Sequence, residues 1–587
     1  MSSADAIRSA LAVAARRLGA PDDVEPVLER PRDPSFGDWA TNLAMLLARP
    51  LGRKPRDVAQ ALIDGADLRA AGVSSAEIAG PGFINFRLDA SAATGGLAQI
   101  IAAGDSYGRS EGGAGRRVVV EFVSANPTGP LHVGHGRQAA LGDAIATLLS
   151  WTGWDVSREF YYNDAGVQIE NLALSTWLRV AELLGEPVTM PKFAYHGEYI
   201  RDIALRFRDA RPTLDADAVR RGAREVMRAA DEIASLPESE ERRASAIRAR
   251  AVASLDGATF DDVRTFAVQA LRREQDLDLQ AFGVKFDTYY LESSLYTDGK
   301  VEETVAALEQ RGMTYEKDDA LWLKTTEFGD DKDRVMRKRD GTYTYFVPDV
   351  AYHVTKWQRG FPRAINVQGA DHHSTVTRVR AGLQAVGMGI PAGYPDYVLH
   401  QMVTVMRGGE EMKISKRAGS YVTVRDLVDE VGRDAVRYFF LMRKGDSQLV
   451  FDVDLARTQS EENPVYYVQM AHARMCGIFR VGGIDRSTFS ADGVDLAVLA
   501  EPAERELTKA LLDFPATVAS AAEGLEPQRI ATYLHDTAQL AHGWYHKHHV
   551  LGEPEPIMRA RLVLARAAQV VLANGLALLG ITAPERM

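Results

Sequence analysis

Residues 118–135 read VVVEFVSANPTGPLHVGH, and this stretch decides the fold. Its first six residues are apolar and mostly β-branched, interrupted only by Glu121, which is typical of a buried strand in a parallel sheet. A Gly/Pro turn follows over residues 124–131, and a helical pattern then begins at Val133 and continues to Trp151. Strand, loop and helix in this order open a doubly wound domain, so we predict an α/β, Rossmann-like parallel sheet.

The glycine-rich stretch before this strand marks a domain boundary. Residues 108–115 contain four glycines in eight positions, which is typical of a linker. Further along the chain, a long alanine- and charge-rich stretch has helical periodicity, and after residue 455 only amphipathic helical patterns appear. The predicted regions are an N-terminal α/β domain (1–112), the doubly wound domain (113–395) with a helical insertion (168–280), a loop region (396–455) and a C-terminal all-α bundle (456–587).

The periodicity also predicts individual elements. The main helices are expected at residues 4–18, 40–48, 376–385, 465–479, 503–512, 528–542 and 558–579. The main strands are expected at residues 82–88, 118–123, 365–369, 400–406 and 421–424.

Composition excludes several classes of protein. The 587 residues are 46% hydrophobic and 25% charged, an ordinary globular mixture rather than a disordered or fibrous one. Cys476 is the only cysteine, so disulfide scaffolds and cysteine-rich zinc sites are excluded. We expect no export signal and no membrane-spanning stretch, and hence a cytoplasmic protein. The net charge of −11 does not exclude a nucleic-acid partner, because a local basic patch is enough to attract phosphate.

His132-Val133-Gly134-His135 lies at the loop-to-helix junction that follows the first strand. Backbone N–H groups at a helix start attract anions, and Gly134 allows a phosphate or an adenine ring to approach the backbone. His132 and His135 share one side of the first turn and can donate to the same phosphate oxygens. For these four residues alone, a pair of surface histidines or a metal site is an open alternative.

A second candidate element is the basic loop Lys413-Ile414-Ser415-Lys416-Arg417. Three cations and a hydroxyl group on a glycine-flanked segment suit the capture of charge that develops on a departing pyrophosphate. By itself such a run is more often a solvated loop or a nonspecific basic patch. Its pairing with the two-histidine element favours the phosphate interpretation.

This pairing resembles the His-Ile-Gly-His and Lys-Met-Ser-Lys-Ser motifs of class I aminoacyl-tRNA synthetases. Further stretches across almost the whole chain resemble the arginyl-tRNA synthetase family in particular. These stretches are AGPGFIN (79–85), EFVSANPTGPLH (121–132), YYNDAG (161–166), DVAYH (349–353), GADHH (369–373), ENPVYYVQMAHAR (462–474) and APERM (583–587). Val133 and Ile414 depart from the motifs but keep their shape. Arg417 replaces a hydroxyl group by a cation, so no role is transferred to it.

The resemblance implies a site for free arginine. A guanidinium is a planar, permanent cation with five donors, so its pocket needs a carboxylate that it can grip as a fork. Asp349 is the expected carboxylate, with Tyr345 four residues before it and just outside a helix that Pro348 is expected to start. From the residues alone, a strand-end role for Glu121 and a core role for Tyr345 are also open. The implied arginine-binding residues are Glu121, Ser124, Asn126, His132, Tyr345 and Asp349.

The resemblance also implies ATP bound across the carboxyl edge of the sheet, with Mg²⁺ on the nucleotide. The expected catalytic residues are His132, His135, Lys413 and Lys416, which act by positioning and by charge stabilisation. The expected ATP-binding residues are Gly134, Gly369, Asp371, His372 and Ser415. Asp371-His372-His373 resembles a metal cluster, but the family carries this motif without a transition metal, so no protein metal site is expected.

The predicted regions acquire roles through the same resemblance. The N-terminal domain is expected to contact tRNA through Phe83, Asn85 and Phe86, and residues 396–455 are expected to contact the acceptor stem. The C-terminal bundle is expected to bind the anticodon, because aromatic and amide side chains suit splayed bases. Its candidate residues are Tyr466, Tyr467, Gln469, His472 and Arg474, of which at least one tyrosine is expected to be structural.

The predicted reaction joins L-arginine to the terminal adenosine of tRNA(Arg) through an arginyl-adenylate, in a monomer without a membrane partner. Another class I synthetase, a small-molecule nucleotidyltransferase and a catalytically silent tRNA-binding relative are the alternatives. The basic loop and Asp349 argue against a silent protein, and the helical C-terminal domain argues against a small-molecule enzyme.

Overall fold

A parallel sheet forms the centre of this computed structural model, which describes residues 3–21, 24–31, 33, 36–89, 94–164, 166–234, 240–412 and 422–587. Its five strands are, in spatial order, β11 (Asp396–His400), β10 (Arg363–Gly369), β4 (Arg117–Glu121), β5 (Asp155–Tyr162) and β6 (Thr288–Leu291). All neighbouring pairs are parallel, which confirms the predicted fold class. The register aligns Asn366, Glu121 and Glu159 across three adjacent strands near the carboxyl edge.

The helix after β4 is α5 (Val133–Trp151), whose limits match the prediction. It is buried on nearly all sides, between the sheet and the C-terminal bundle, and one continuous apolar core includes residues of all three. A Cβ atom at Gly142 would lie 2.1 Å from Cγ of Phe122, so only glycine lets the helix approach β4 this closely. Close packing of α5 therefore fixes the position of its first turn.

The N-terminal domain has its own core. Three helices, α1 (Ser3–Arg17), α2 (Leu43–Ala48) and α3 (Pro55–Gly65), belong to it. An antiparallel sheet belongs to it as well, with the strands in the order β1 (Trp39–Thr41), β3 (Phe83–Leu88) and β2 (Val73–Ala79). β1 occupies the start of the helix predicted for residues 40–48, which begins only at Leu43.

The helical insertion lies between β5 and β6. Its helices are α6 (Val167–Leu183), α7 (Glu198–Ala210), α8 (Ala216–Ala234), α9 (Glu240–Ser254) and α10 (Gly257–Ala281).

The chain between β6 and β11 contains a small antiparallel sheet that the sequence analysis missed. Besides β10, this part contains α11 (Glu292–Thr297), α12 (Lys300–Gln310), β7 (Thr314–Lys317), β8 (Ala320–Leu323), β9 (Arg334–Arg337), α13 (Phe346–Gln358) and α14 (His373–Val386).

The region after the central sheet differs from the prediction in two places. The single strand expected at residues 400–406 is divided between β11 and β12 (Val403–Arg407), which pairs with β13 (Glu410–Glu411) and β14 (Leu449–Asp452). Of the strand expected at residues 421–424, Tyr421 lies outside the described residues, and Thr423 forms an isolated antiparallel bridge with His132 rather than a strand. Thr423 also caps α15 (Val424–Val431), because its side chain accepts the N–H of Asp426. Two more helices follow, α16 (Arg433–Leu441) and α17 (Val453–Arg457).

The C-terminal bundle is helical as predicted. It contains α18 (Pro464–Val481), α19 (Pro502–Leu512), α20 (Phe514–Gly524), α21 (Gln528–Lys547) and α22 (Glu555–Leu578). An earlier helix, α4 (Gly96–Ala103), packs against α22, and Asn574 donates to the carbonyl groups of Gly104 and Tyr107 at 2.9 and 3.0 Å. Packing therefore joins the segment before β4 to the bundle rather than to the N-terminal domain.

Among the helices of the described residues, α22 is the one that has the length and apolarity of a membrane span. Of its most apolar window, 78% is buried inside the protein. This burial is typical of the central helix of a bundle.

Gly142→Ala is expected to lower the free energy of unfolding by about 1–3 kcal/mol, because the added methyl group overlaps Phe122 in a close-packed core. Gly543→Ala in α21 is the matched control, since a Cβ there meets no atom within 4 Å. Alanine favours a helix interior, so the control should be neutral or stabilising. Urea denaturation of both variants measures the difference, and equal stabilities would contradict the packing described for α5.

Candidate active site

The first turn of α5 is closed by the two predicted histidines. Nδ1 of His132 accepts the N–H of Gly134 at 3.1 Å, and Nδ1 of His135 accepts the N–H of His132 at 3.3 Å. The two rings stack with their centroids 3.7 Å apart. Because Nδ1 is the acceptor in both neutral rings, Nε2 carries the ring hydrogen of each. The pair therefore acts as a reciprocal helix cap and holds two imidazoles side by side.

The turn between β4 and this helix has an unusual backbone. Val123 and Ser124 have φ angles of 69° and 41°, a left-handed conformation that is costly for a β-branched residue. Oγ of Ser124 donates to Oε1 of Glu121 at 2.9 Å and accepts the N–H of Tyr161 at 3.3 Å. These bonds hold the turn in place at the carboxyl edge of the sheet.

Lys413, Ser415 and Lys416 lie outside the described residues, and the segments on either side of them are hydrogen-bonded to the rest of the protein. The N–H of Met412 donates to the carbonyl of Val405 at 2.9 Å, before the loop. After the loop, the N–H of Val133 donates to Val422 at 3.3 Å, and the N–H of Val424 donates to Leu131 at 2.9 Å. The chain that leaves the basic loop is therefore hydrogen-bonded on both sides of His132.

Two buried carboxylates that interact electrostatically with each other form an acidic slot, and one of them belongs to a residue that the sequence analysis missed. The slot comprises Asp349, on the first turn of α13, and Glu292, on the first turn of α11. Burial, together with the charges of Glu292 and Glu121, raises the pKa of Asp349 to about 7. Burial likewise raises the pKa of Glu292 to about 7, although Tyr161 donates to it at 3.1 Å. Glu292 directly follows a sheet strand, which is the signal that could have identified it.

A buried polar network connects Glu121 to the helix that carries Asp349. Nζ of Lys356, which is fully buried, donates to Oε2 of Glu121 at 2.5 Å and to Oδ1 of Asn366 at 3.0 Å. The amide of Asn366 lies 2.7 Å from Nε2 of His353, whose Nδ1 lies 2.8 Å from the carbonyl oxygen of Asp349. Burial and the charge of Lys356 lower the pKa of His353 to about 3, so this imidazole is neutral. The network ties α13 to β4 and β10.

The other predicted site residues lie around the same edge of the sheet. Tyr345 is 69% exposed at the start of α13, which begins two residues before Pro348. Asn126 donates to Oε1 of Gln168 at 2.6 Å. Gly369 ends β10, and the exposed Asp371 and His372 follow it in a short 3₁₀ turn. Within the described ranges, no group of three His, Cys, Asp or Glu side chains could hold a metal ion.

Helix α18 divides the predicted anticodon residues into two groups. Gln469 donates to Asp434 and to the carbonyl of Thr582, and the ring of His472, which is 2% exposed, lies 2.9 Å from the carbonyl oxygen of Pro584. These two side chains therefore hold the C-terminal segment of the chain. Tyr466, Tyr467 and Arg474 are partly exposed.

Helix α21 supplies neighbours that the sequence analysis did not identify. Arg474 donates to Nδ1 of His542 at 2.7 Å, and the ring centroid of Tyr467 lies 5.4 Å from that of His535. Tyr545, which is 41% exposed, lies on the same helix.

The predicted tRNA contacts of the N-terminal domain also separate. Phe83 is 40% exposed and Asn85 is partly exposed. Phe86 is fully buried in the core of that domain, because alternate residues of β3 face opposite sides of the sheet. In this structure Phe86 therefore packs in the core of the domain.

Comparison with known proteins covers the whole chain. Family models match for the arginyl tRNA synthetase N terminal domain (residues 4–88), the catalytic domain of class I (R) tRNA synthetases (97–474) and the DALR anticodon binding domain (468–587). The arginine–tRNA ligase of Bordetella petrii is 55% identical over 96% of this chain and 95% of its own, and that of Thiobacillus denitrificans is 53% identical over all of both. The arginyl-tRNA synthetase structure from Thermus thermophilus superposes with a TM-score of 0.72 at 25% identity, covering 100% of both chains.

Lys356→Met is expected to lower the free energy of unfolding by about 3–5 kcal/mol, because it leaves the Glu121 carboxylate buried without its cation. The double variant Lys356→Met/Glu121→Gln should recover most of this loss. Lys300→Met, which removes an exposed Lys300–Glu303 pair of 2.8 Å, should leave the unfolding midpoint nearly unchanged. Differential scanning calorimetry compares the three variants, and a wild-type midpoint for Lys356→Met would contradict the role given to this ion pair.

Proposed function

The chain belongs to the arginyl-tRNA synthetase family and ligates arginine to tRNA at the expense of ATP, and we propose that the residues at the carboxyl edge of its central sheet perform this reaction. One observation carries the assignment of residues. The segment that follows the basic loop pairs with Leu131 and Val133, on either side of His132. This pairing supports a site in which both phosphate-binding elements face one triphosphate.

The acidic slot is proposed to bind the guanidinium group. Asp349 and Glu292 each have a raised pKa because they are buried and close to other carboxylates. A permanent cation placed between them stabilises both ionised forms, and its planar fork can donate to two carboxylates at once. Lysine has the charge but not the fork, and a neutral side chain leaves both carboxylates unpaired. The slot is therefore proposed to select arginine without a proofreading site.

The remainder of the amino acid is assigned to the strained turn and its surroundings. Glu121, Ser124 and Asn126 are proposed to position the α-amino and carboxylate groups, with His132 beside them. Both carboxylate oxygens of Glu121 already accept hydrogen bonds, from Lys356 and Ser124. Its contribution is thus a fixed negative charge in a fixed position. Tyr345, which is exposed directly before the helix that carries Asp349, is proposed to cover the bound arginine.

ATP is proposed to lie across the adjoining sheet edge. The arginine carboxylate attacks the α-phosphorus and pyrophosphate departs, after which a ribose hydroxyl of the terminal adenosine of tRNA attacks the adenylate. His132 and His135 are proposed to donate to the phosphates, and Lys413 and Lys416 to stabilise the leaving group. Gly134, Gly369, Asp371, His372 and Ser415 are proposed to contact the nucleotide. Mg²⁺ is proposed to enter with ATP and to neutralise phosphate charge, since it keeps mainly phosphate oxygens and water as ligands.

Two surfaces are proposed to contact tRNA. One is on the N-terminal domain, at Phe83 and Asn85. The other is on the bundle, where Tyr466, Tyr467 and Arg474 on α18 are joined by His535 and Tyr545 on α21. Aromatic and cationic side chains of this kind stack on unpaired bases. We further propose that the protein acts in the cytoplasm as a monomer, because one chain supplies the slot, the histidine pair and both surfaces.

The experiment that tests this function charges tRNA with a panel of amino acids, using the wild-type protein and Asp349→Asn. Arginine alone should be attached by the wild type. In Asp349→Asn, kcat/KM for arginine should fall about 30- to 4,000-fold, because losing one partner of a buried charge pair costs about 2–5 kcal/mol. Asp319→Asn removes an exposed carboxylate and is the matched control. Wild-type charging of glutamate or cysteine, or an unchanged KM in Asp349→Asn, would contradict the proposal.

Arginine binding should weaken as the pH falls below about 7, because the guanidinium needs ionised carboxylates and those of Asp349 and Glu292 are half-protonated near that pH in the free slot. Binding favours the ionised forms and releases protons, so KM for arginine should be lowest above about pH 8. It should rise by up to about tenfold per pH unit for each carboxylate that becomes protonated. In Glu292→Gln, KM measured between pH 6 and pH 8.5 should rise less steeply with falling pH than it does in the wild type. A wild-type KM that is independent of pH would contradict this account of the slot.

A further inference from the structure

The helical insertion holds the loop that precedes His132 by hydrogen bonds to its backbone. Nε2 of Gln275, on α10, donates to the carbonyl of Asn126 at 3.1 Å and to that of Gly129 at 2.8 Å. Oη of Tyr199, on α7, donates to the carbonyl of Thr128 at 2.8 Å. Three of the four carbonyl groups at residues 126–129 thus accept a hydrogen bond from the insertion.

Gln275 is an unusual choice for its position. It is fully buried on a helix whose other buried side chains are mostly apolar, such as Leu271 and Leu279. Burying an amide is unfavourable unless it is hydrogen-bonded, and a leucine or methionine would fill similar space without that cost. Its two N–H groups reach two carbonyls three residues apart, so a single side chain spans the loop. The side chain is therefore suited to fixing the shape of the loop rather than to filling the core.

The loop leads directly into the proposed site. It begins at Asn126, which also donates to Gln168 of the insertion, and it ends at the His132 cap. The same helix α10 packs against α15, the helix that begins just after the basic loop. Arg425, in the first turn of α15, interacts electrostatically with Asp278, three residues beyond Gln275 on α10. One helix of the insertion thus contacts the chain on both sides of the junction between the two phosphate-binding elements.

We propose that Gln275 is a positioning residue for arginine activation, which fixes the loop at residues 126–129 and thereby the placement of Asn126 and His132. Gln275 acts through the backbone of this loop rather than on a reactant. The inference rests on the proposed function, since it presumes that His132 and its neighbours bind the reactants. Tyr199 contributes a second, weaker restraint on the same loop.

Gln275→Met keeps the length of the side chain and removes both donors. In the tRNA-dependent exchange of pyrophosphate into ATP, with rates expressed per titrated active site, kcat/KM for arginine and for ATP should fall about 10- to 100-fold, the scale of a small misplacement of reacting groups. KM for tRNA should stay within about twofold, because neither of the proposed tRNA surfaces includes this loop. Tyr199→Phe, which loses one donor and keeps its ring, should show a smaller loss in the same constants.

The matched control is Thr176→Val. Thr176 is a fully buried residue of the same insertion whose hydroxyl group donates only within its own helix, to Leu172 at 2.9 Å. It should lower the unfolding midpoint without changing either constant per active site. If Gln275→Met changes only the unfolding midpoint, or if Thr176→Val shows the same kinetic loss, Gln275 is structural and the inference is wrong.

His135→Ala separates this inference from the function on which it rests. A large loss of exchange in His135→Ala beside normal constants in Gln275→Met overturns the inference alone. Normal exchange in His135→Ala overturns the proposed assignment of the site itself. Should Gln275→Met fail to fold, Tyr199→Phe decides, and wild-type constants in that variant overturn the inference.

Discussion

The backbone pairing of Leu131 and Val133 with Val424 and Val422 is the constraint on which the site depends. These two segments are far apart in the sequence, and each borders an element rich in cationic or donor groups. Neither element alone distinguishes a nucleotide site from a helix cap or a solvated loop. The pairing brings the chain that leaves the basic loop beside His132, and we propose that the charges of both elements act on one triphosphate.

The acidic slot has the opposite electrostatic character, because its carboxylates attract a cation. Ionised carboxylates that are buried together are unfavourable until a cation joins them, and this cost appears as the raised pKa of Asp349 and Glu292. Glu121 is instead paired with Lys356, whose Nζ lies 2.5 Å from its Oε2. The protein thus supplies one cation of its own to Glu121, and we propose that the charges of Asp349 and Glu292 are left for the substrate. We propose that selectivity for a guanidinium follows from that imbalance.

Local sequence patterns predicted those parts of the fold that are set by short-range periodicity. The limits of α5 were predicted correctly because an apolar strand, a Gly/Pro turn and a long apolar helix follow one another without interruption. The small sheet β7–β9 was missed because its strands have four residues each, too few to show an alternating pattern. The strand predicted at residues 421–424 does not continue through Val424, because Thr423 caps a helix that begins there.

Site residues could be predicted where they belong to a recognisable motif. They could not be predicted where only tertiary packing brings them into the site. The family resemblance led to Asp349 and the histidines. Glu292 belongs to none of the sequence stretches quoted for the resemblance, and it joins the slot only because the order of the strands in the sheet brings it there. Gln469 and His472, which lie on a helical pattern, were predicted to contact tRNA. In the structure the C-terminal segment covers both side chains, which is a contact between distant parts of the chain. Contacts of that kind depend on the tertiary fold, which local patterns do not encode.

The most direct measurement is a crystal structure of the protein with a non-hydrolysable arginyl-adenylate analogue and tRNA. The account predicts that the guanidinium donates to both Asp349 and Glu292, and that the phosphate lies within hydrogen-bonding distance of the His132–His135 pair. It also predicts that Lys413 and Lys416 close over the same phosphate. A guanidinium bound away from Asp349, or histidines and lysines that open onto separate surfaces, would contradict it.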